Sequence, residues 1–116
     1  MLKNCSIGID IVDIRRFTKI PYGENESFYK RNFRRSETEY CLKYKHPAQH
    51  FAGKFAIKES VIKAVSEKIS MLDIEISYIA AKPTVRISGK NLKYDFLVSL
   101  SHEKNLAIAV VIAQKK

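Results

Sequence analysis

Glu59 is the first residue of this chain whose type and place suggest chemistry. On a helix through its neighbours it falls about 40° from Phe55, between Phe55 and Ala52, where a carboxylate interrupts an apolar stripe. A carboxylate losing water there needs a cation, a metal ion or hydrogen bonds. Lys63, one turn later, offers an i,i+4 ion pair, which contributes only ~0.3–0.5 kcal/mol when exposed, and Lys58 is adjacent. Asp10 is the second such residue. It follows Gly8 at the end of an apolar alternation, where a missing side chain leaves room for a ligand or a second backbone. It could equally cap a following helix. Two acids on different elements can hold a hard divalent cation, because Mg²⁺ commonly uses one or two carboxylates plus substrate phosphates and water. His102 has no second His or Cys at metal spacing near it. The chain lacks a Gly-x-x-x-x-Gly-Lys-Ser/Thr loop, which disfavours a nucleoside triphosphatase of that type, and no Ser/His/Asp order stands out.

Those residues must be positioned by secondary structure. Ile7, Ile9 and Ile11 alternate with Ser6, Gly8 and Asp10, predicting a strand over Ser6–Val12 with the acid on its more polar face. A short helix to about Lys19 follows, ended by Pro21-Tyr22-Gly23. Phe28–Arg34 reads as a short basic helix. Ser36, with Glu39 three residues on, reads as the start of another helix through Tyr44. His46-Pro47 breaks the chain. One long helix is expected over Ala48–Ile69, with Phe51, Phe55, Ile62 and Ile69 on one stripe flanked by Ala52 and Val65. Period-two patterns then recur at Ile74–Ile79, Val85–Ile87 and Val98–Ser101. The four residues His102–Asn105 form a loop before Leu106–Ala113, which reads as the central or most buried strand. No repeat, linker or low-complexity tract is visible. The layout is α+β, an antiparallel sheet packed on a long central helix, in one domain over residues 1–116.

Composition narrows the class. Of 116 residues, 46% are hydrophobic, which supports a packed core despite a net charge of +9. The longest wholly apolar run, Leu106–Ala113, is far short of the ~20 residues of a membrane helix. No apolar signal core follows Met1–Ser6, and two cysteines make no disulfide framework, so a cytoplasmic protein is expected. Positive charge concentrates between Arg15 and Arg35, which suits a polyanion: nucleic acid, an acidic protein or a phosphate-rich small molecule. It also suits a solvated surface with no partner. Phe28, Tyr29 and Phe33 interleave with the basic residues, as a stacking platform for nucleic acid would require. No helix-turn-helix, zinc-finger or ribonucleoprotein signature accompanies them.

Taken together, the motifs resemble one family. Gly8-Ile-Asp10-Ile-Val-Asp13-Ile-Arg-Arg16 resembles the opening of the holo-acyl-carrier-protein synthases, the small 4′-phosphopantetheinyl transferases. Phe51-Ala-Gly-Lys-Phe55-Ala-Ile-Lys58-Glu59-Ser-Val-Ile-Lys63-Ala64 resembles their long-helix signature. Asp73-Ile-Glu75-Ile76 with Lys82-Pro83 is similar to the next strand pair, and Val98–His102 with Ala107–Val111 to the closing hairpin. The likeness runs nearly end to end and in order.

The resemblance implies transfer of the phosphopantetheine arm from coenzyme A to a serine of an apo acyl carrier protein, releasing 3′,5′-ADP, in fatty acid and lipid biosynthesis. By the same match Asp10 and Glu59 would ligate Mg²⁺ with the diphosphate, and Glu59 would help take the serine proton, directly or through water. Lys63 would clamp phosphate or stabilise the leaving group. Lys54, Pro83 and His102 would contact coenzyme A, and Arg16 would dock the acidic carrier protein. The family is typically a homotrimer with sites between subunits, which would let Lys54 serve a neighbour's ligand. The alternative is a non-catalytic basic module for an acidic carrier protein or nucleic acid. One departure stands out: the family's Gly-x-Gly turn after the long helix is replaced by Val65-Ser-Glu-Lys68-Ile-Ser70, which removes glycines that let backbone N–H groups approach a phosphate.

Overall fold

A computed structural model describes residues 2–116. Strand β1 (Cys5–Asp13) leads into α1 (Arg15–Lys19), α2 (Glu26–Asn32), α3 (Arg35–Leu42) and the long α4 (Pro47–Ala64). Strands β2 (Ile74–Ile79), β3 (Lys82–Ile87), β4 (Tyr94–Glu103) and β5 (Leu106–Lys115) complete the chain. The strands form two antiparallel sheets: β1-β5-β4, with β5 in the centre, and the separate hairpin β2-β3. No helix is long and apolar enough to cross a membrane.

Several boundaries differ from those expected. α4 ends at Ala64, five residues early, because Val65 turns to extended backbone and 65–70 becomes a loop. Glu67 ties that loop to Tyr94 and Lys115. α3 begins one residue before Ser36: Glu37, not Glu39, caps it by accepting the Arg34 N–H at 2.7 Å, while Glu39 pairs with Arg35. The β4–β5 turn is only Lys104-Asn105, so His102 lies on β4 opposite Ala107 and not in a loop. The β2–β3 turn is also two residues, Ala80 and Ala81, both in the left-handed region at φ 51° and 65° where glycine or asparagine is usual.

The main correction concerns which faces are inside. On β1 the isoleucines face outward, Ile9 being 54% exposed, while Gly8 and Val12 are buried and Asp10 is half-buried. The small face is inside because β1 presses on α4. A Cβ at Gly8 would stand 1.9 Å from the Ser60 carbonyl oxygen, so no larger residue fits without moving backbone. On α4 the buried arc is centred opposite Phe55. Ala52, Ala56, Ser60 and Ala64, spaced by four, form a ridge of small side chains, each under 5% exposed. Strand β5 meets that ridge with its own small set, Ala107, Ala109, Val111 and Ala113. Phe55 and Ile62, the centre of the expected stripe, are only partly covered. Small facing residues let helix and sheet approach closely, and that closeness outweighed the bulk of the isoleucines and Phe55.

The other sides of α4 are held by aromatics and one ion pair. Phe17, Tyr29, Phe33 and Phe51 pack together, and Tyr29 donates to the Ile20 carbonyl at 2.6 Å. Tyr29 and Phe33 are therefore core residues, unavailable for stacking on bases. Lys58 and Glu37 form a fully buried pair at 2.6 Å. Lys58 also donates to the carbonyls of Asn32 and Met71, and Glu37 accepts the N–H groups of Arg34 and Ile76. These bonds join α2, α3, α4 and β2 at one point.

Candidate active site

The close contact at Gly8 determines where Asp10 goes. Two residues on along the same inward face, its carboxylate reaches the last turn of α4, where the Lys63 ammonium donates to Asp10 Oδ1 at 3.0 Å. The same ammonium donates to the Ile9 carbonyl at 3.0 Å. Asp10 is thus a mid-strand residue with a helix-borne partner, not a helix cap; the cap region of α1 is served by Asp13, which accepts the Arg15 N–H at 2.9 Å.

Glu59 does not pair with Lys63. The lysine is committed to β1, and among the described residues Glu59 has no hydrogen bond or ion pair. It stands on the open side of α4 with Phe55 and Ile62, half-buried and one turn before Lys63. Residues so spaced have Cβ atoms about 5–6 Å apart, so Glu59 neighbours the lysine that holds Asp10. Arg16 joins this end of the site, with its guanidinium 5.2 Å from the centre of the Phe55 ring, one turn before Glu59.

These groups suit a hard cation. Carboxylate and carbonyl oxygens are the donors Mg²⁺ takes, and here Asp10 and the Ile9 carbonyl already receive a cationic ammonium. No group of three or more His, Cys, Asp or Glu that could hold a metal occurs among the described residues.

Lys54, Pro83 and His102 have other neighbours. Lys54 is five residues before Glu59, about 7.5 Å along the helix at 1.5 Å per residue and about 140° around it. Its side chain is buried and its ammonium donates to the Tyr78 hydroxyl at 2.8 Å, between the rings of Tyr40 and Tyr78. Burial pushes Lys54 down to about 8. Among the described residues the ammonium therefore has one hydrogen-bond partner, the Tyr78 hydroxyl, and two further N–H donors. Pro83 sits opposite Tyr78 in the β2–β3 hairpin. His102 is exposed on β4, its Nε2 3.5 Å from where a Gly53 Cβ would stand. His50, stacked on Tyr44, is nearby: burial first, and the positive charge of His102 second, push its pKa down.

Sequence reasoning missed the half-buried Tyr78 and the buried Glu37, the partners of the two lysines. Neither carries a spacing signal, since each meets its lysine only through tertiary contact. A groove of about 770 Å³, lined by Lys30, Arg34, Arg35 and Leu72 among others, lies between α2, α3 and the Met71–Asp73 turn, and neither Asp10 nor Glu59 lines it. Chemistry, not volume, marks the site.

Comparison with known proteins shows the family and the fold. A family model described as the 4′-phosphopantetheinyl transferase superfamily matches residues 6–111. The chain is 39% identical to a holo-[acyl-carrier-protein] synthase of Geobacter metallireducens, over 93% of this chain and 95% of that protein. It is 37% identical to one of Thermodesulfovibrio yellowstonii, over 91% and 95%. The fold matches the Helicobacter pylori holo-[acyl-carrier-protein] synthase in complex with coenzyme A at a TM-score of 0.78, with 34% identity, 93% of this chain and 99% of that one. A synthase from Bacillus anthracis in complex with CoA (3′,5′-ADP) matches at 0.80, with 30% identity and 96% of each chain.

Proposed function

This chain belongs to the 4′-phosphopantetheinyl transferase superfamily and is an enzyme that moves the phosphopantetheine arm of coenzyme A to an apo acyl carrier protein, and we propose that Asp10, Glu59 and Lys63 perform the transfer. The observation that carries this assignment is the Lys63–Asp10 bond beside a Glu59 free of any partner among the described residues. The serine oxygen of the carrier attacks the phosphorus that bears the pantetheine arm. A P–O bond forms there as the P–O bond to 3′,5′-ADP breaks. Glu59 takes the serine proton, turning a weak nucleophile into a competent one. Lys63, on a half-exposed flexible stem, places positive charge against the departing phosphate. Asp10 and Glu59 would hold Mg²⁺, which when bound neutralises charge on the phosphoryl oxygens. Arg16, exposed on α1 and close to Phe55, meets the acidic carrier protein and directs its serine toward Glu59.

The whole of 1–116 serves as one transferase domain, cytoplasmic and feeding fatty acid and lipid biosynthesis. His102 and Pro83 line the part of the coenzyme A site remote from the acids. The direct assay incubates the protein with apo carrier protein, coenzyme A and Mg²⁺ and weighs the carrier. We expect the mass gain of one phosphopantetheine arm, and no gain with several apo carriers would overturn the assignment.

Assembly follows from the inverted faces. Ile7, Ile9 and Ile11 of β1, Ile112 of β5 and Leu97 of β4 share one sheet face, and Leu97 is 70% exposed. So large an apolar face is rare on a monomer. A homotrimer would cover it and bring the Pro83–His102 end of one subunit toward the acids of the next. Light scattering at micromolar concentration should give three chain masses for the native protein and a single chain mass for Ile9→Glu. A native protein that is active at a single chain mass would refute the trimer.

A further inference from the structure

We propose that Lys63 guards Asp10 in the free enzyme and releases it when coenzyme A binds, so that this chain takes up its divalent cation mainly together with coenzyme A. The inference rests on the assignment of Asp10 as a metal ligand and adds an order of events to it. Lys63 has three N–H donors, and two are engaged, by Asp10 Oδ1 and the Ile9 carbonyl, each at 3.0 Å. An ammonium in that place neutralises the carboxylate and covers one of its oxygens. A divalent ion approaching Asp10 must displace the ammonium or bear its repulsion at a few ångströms, where like charges interact strongly.

The geometry also supplies the means of release. The Asp10 side chain is 17% exposed and held by its strand, whereas the Lys63 side chain is 51% exposed on a four-carbon stem. The lysine, with the longer and more exposed side chain, is the freer of the two to turn away. A diphosphate arriving beside α4 offers the ammonium more negative charge than one carboxylate does. When Lys63 turns to it, Asp10 is bare for the metal. Linkage makes the effect mutual: whatever factor coenzyme A adds to metal affinity, the metal adds to coenzyme A affinity, and such couplings commonly amount to about 5- to 150-fold.

Shared coordination of one ion by diphosphate and protein would also couple the two ligands, so the lysine's part must be isolated. The experiment measures Mn²⁺ binding by the loss of the free-ion electron paramagnetic resonance signal, with and without coenzyme A and without carrier protein, so that no turnover is involved. Native protein, Lys63→Met, Lys63→Gln and Asp10→Asn are compared. We expect native protein to bind Mn²⁺ weakly alone and tightly with coenzyme A. Both Lys63 variants should bind Mn²⁺ alone at least about 5-fold more tightly than native protein, and gain less from coenzyme A. Asp10→Asn should bind weakly in both states. If Asp10→Asn loses Mn²⁺ while the Lys63 variants bind it alone no better than native protein, the guard role is wrong and the metal assignment stands. If Asp10→Asn binds Mn²⁺ with coenzyme A as native protein does, the metal assignment fails and the guard role with it. Lys63 is exposed, so its loss leaves the fold intact, and circular dichroism of each variant checks this directly.

Discussion

Glu59→Gln should lower the transfer rate by about 10²–10⁴-fold at saturating coenzyme A and Mg²⁺, the range a general base supplies. Glutamine keeps the shape and offers an oxygen, but it cannot accept and hold a proton at neutral pH or lend charge to a metal. Saturation separates these losses, since excess ligand restores occupancy and cannot restore a base. The structure sharpens the test by removing the competing role. Had Glu59 paired with Lys63, its replacement would cost a fraction of a kcal/mol and leave turnover alone. Lys63 is instead bonded to Asp10 and the Ile9 carbonyl, so Glu59 has no such duty. Single-turnover mass spectrometry of the carrier protein reads the rate without a coupling enzyme. Near-native turnover of Glu59→Gln under saturation would take the base role away from this residue.

Lys58→Met should destabilise the fold by about 3–5 kcal/mol, the usual cost of leaving one member of a buried ion pair without the other. Both side chains are fully buried at a separation of 2.6 Å, and Glu37 would be left with only the Arg34 and Ile76 N–H groups as partners. The carbonyls of Asn32 and Met71 would lose their donor as well. The double variant Glu37→Gln/Lys58→Met removes the stranded charge and should be less unstable than the single one. Urea unfolding at one fixed protein concentration measures both, since subunit association makes stability concentration-dependent. A loss under about 1 kcal/mol for Lys58→Met would mean that the network relaxes around the gap and does not bind α2, α3, α4 and β2 together.

Lys58 and Glu59 are neighbours in sequence with opposite fates, and local pattern distinguishes neither. Both lie within the same run of helix, yet one is walled in by α2, α3 and the Met71–Asp73 turn while the other stands on the open side. Lys54 repeats the point: its ammonium ends between two tyrosine rings brought in by α3 and β2. The nucleic-acid reading of Phe28, Tyr29 and Phe33 weakened for the same reason, since two of those three rings belong to the core.

The order and type of the elements, the central place of β5, and the placing of Asp10 on a strand and of Glu59 and Lys63 on a helix could be read in the sequence. Alternation at Ser6–Val12 and helical spacing from Ala48 are local properties, and local backbone preference with hydrophobic period suffices to reveal them. Tertiary structure alone decided which way those faces point. A period defines two faces without saying which is covered, and bulk misleads when the covered face is chosen by closeness of approach. At Gly8, Ser60 and the alanines of α4 and β5, closeness prevailed, leaving the isoleucines of β1 outside. Tertiary structure also chose the ion partners. Lys63 could reach Glu59 or Asp10, and it is bonded to Asp10 because β1 lies against the last turn of α4, a contact between residues more than fifty positions apart.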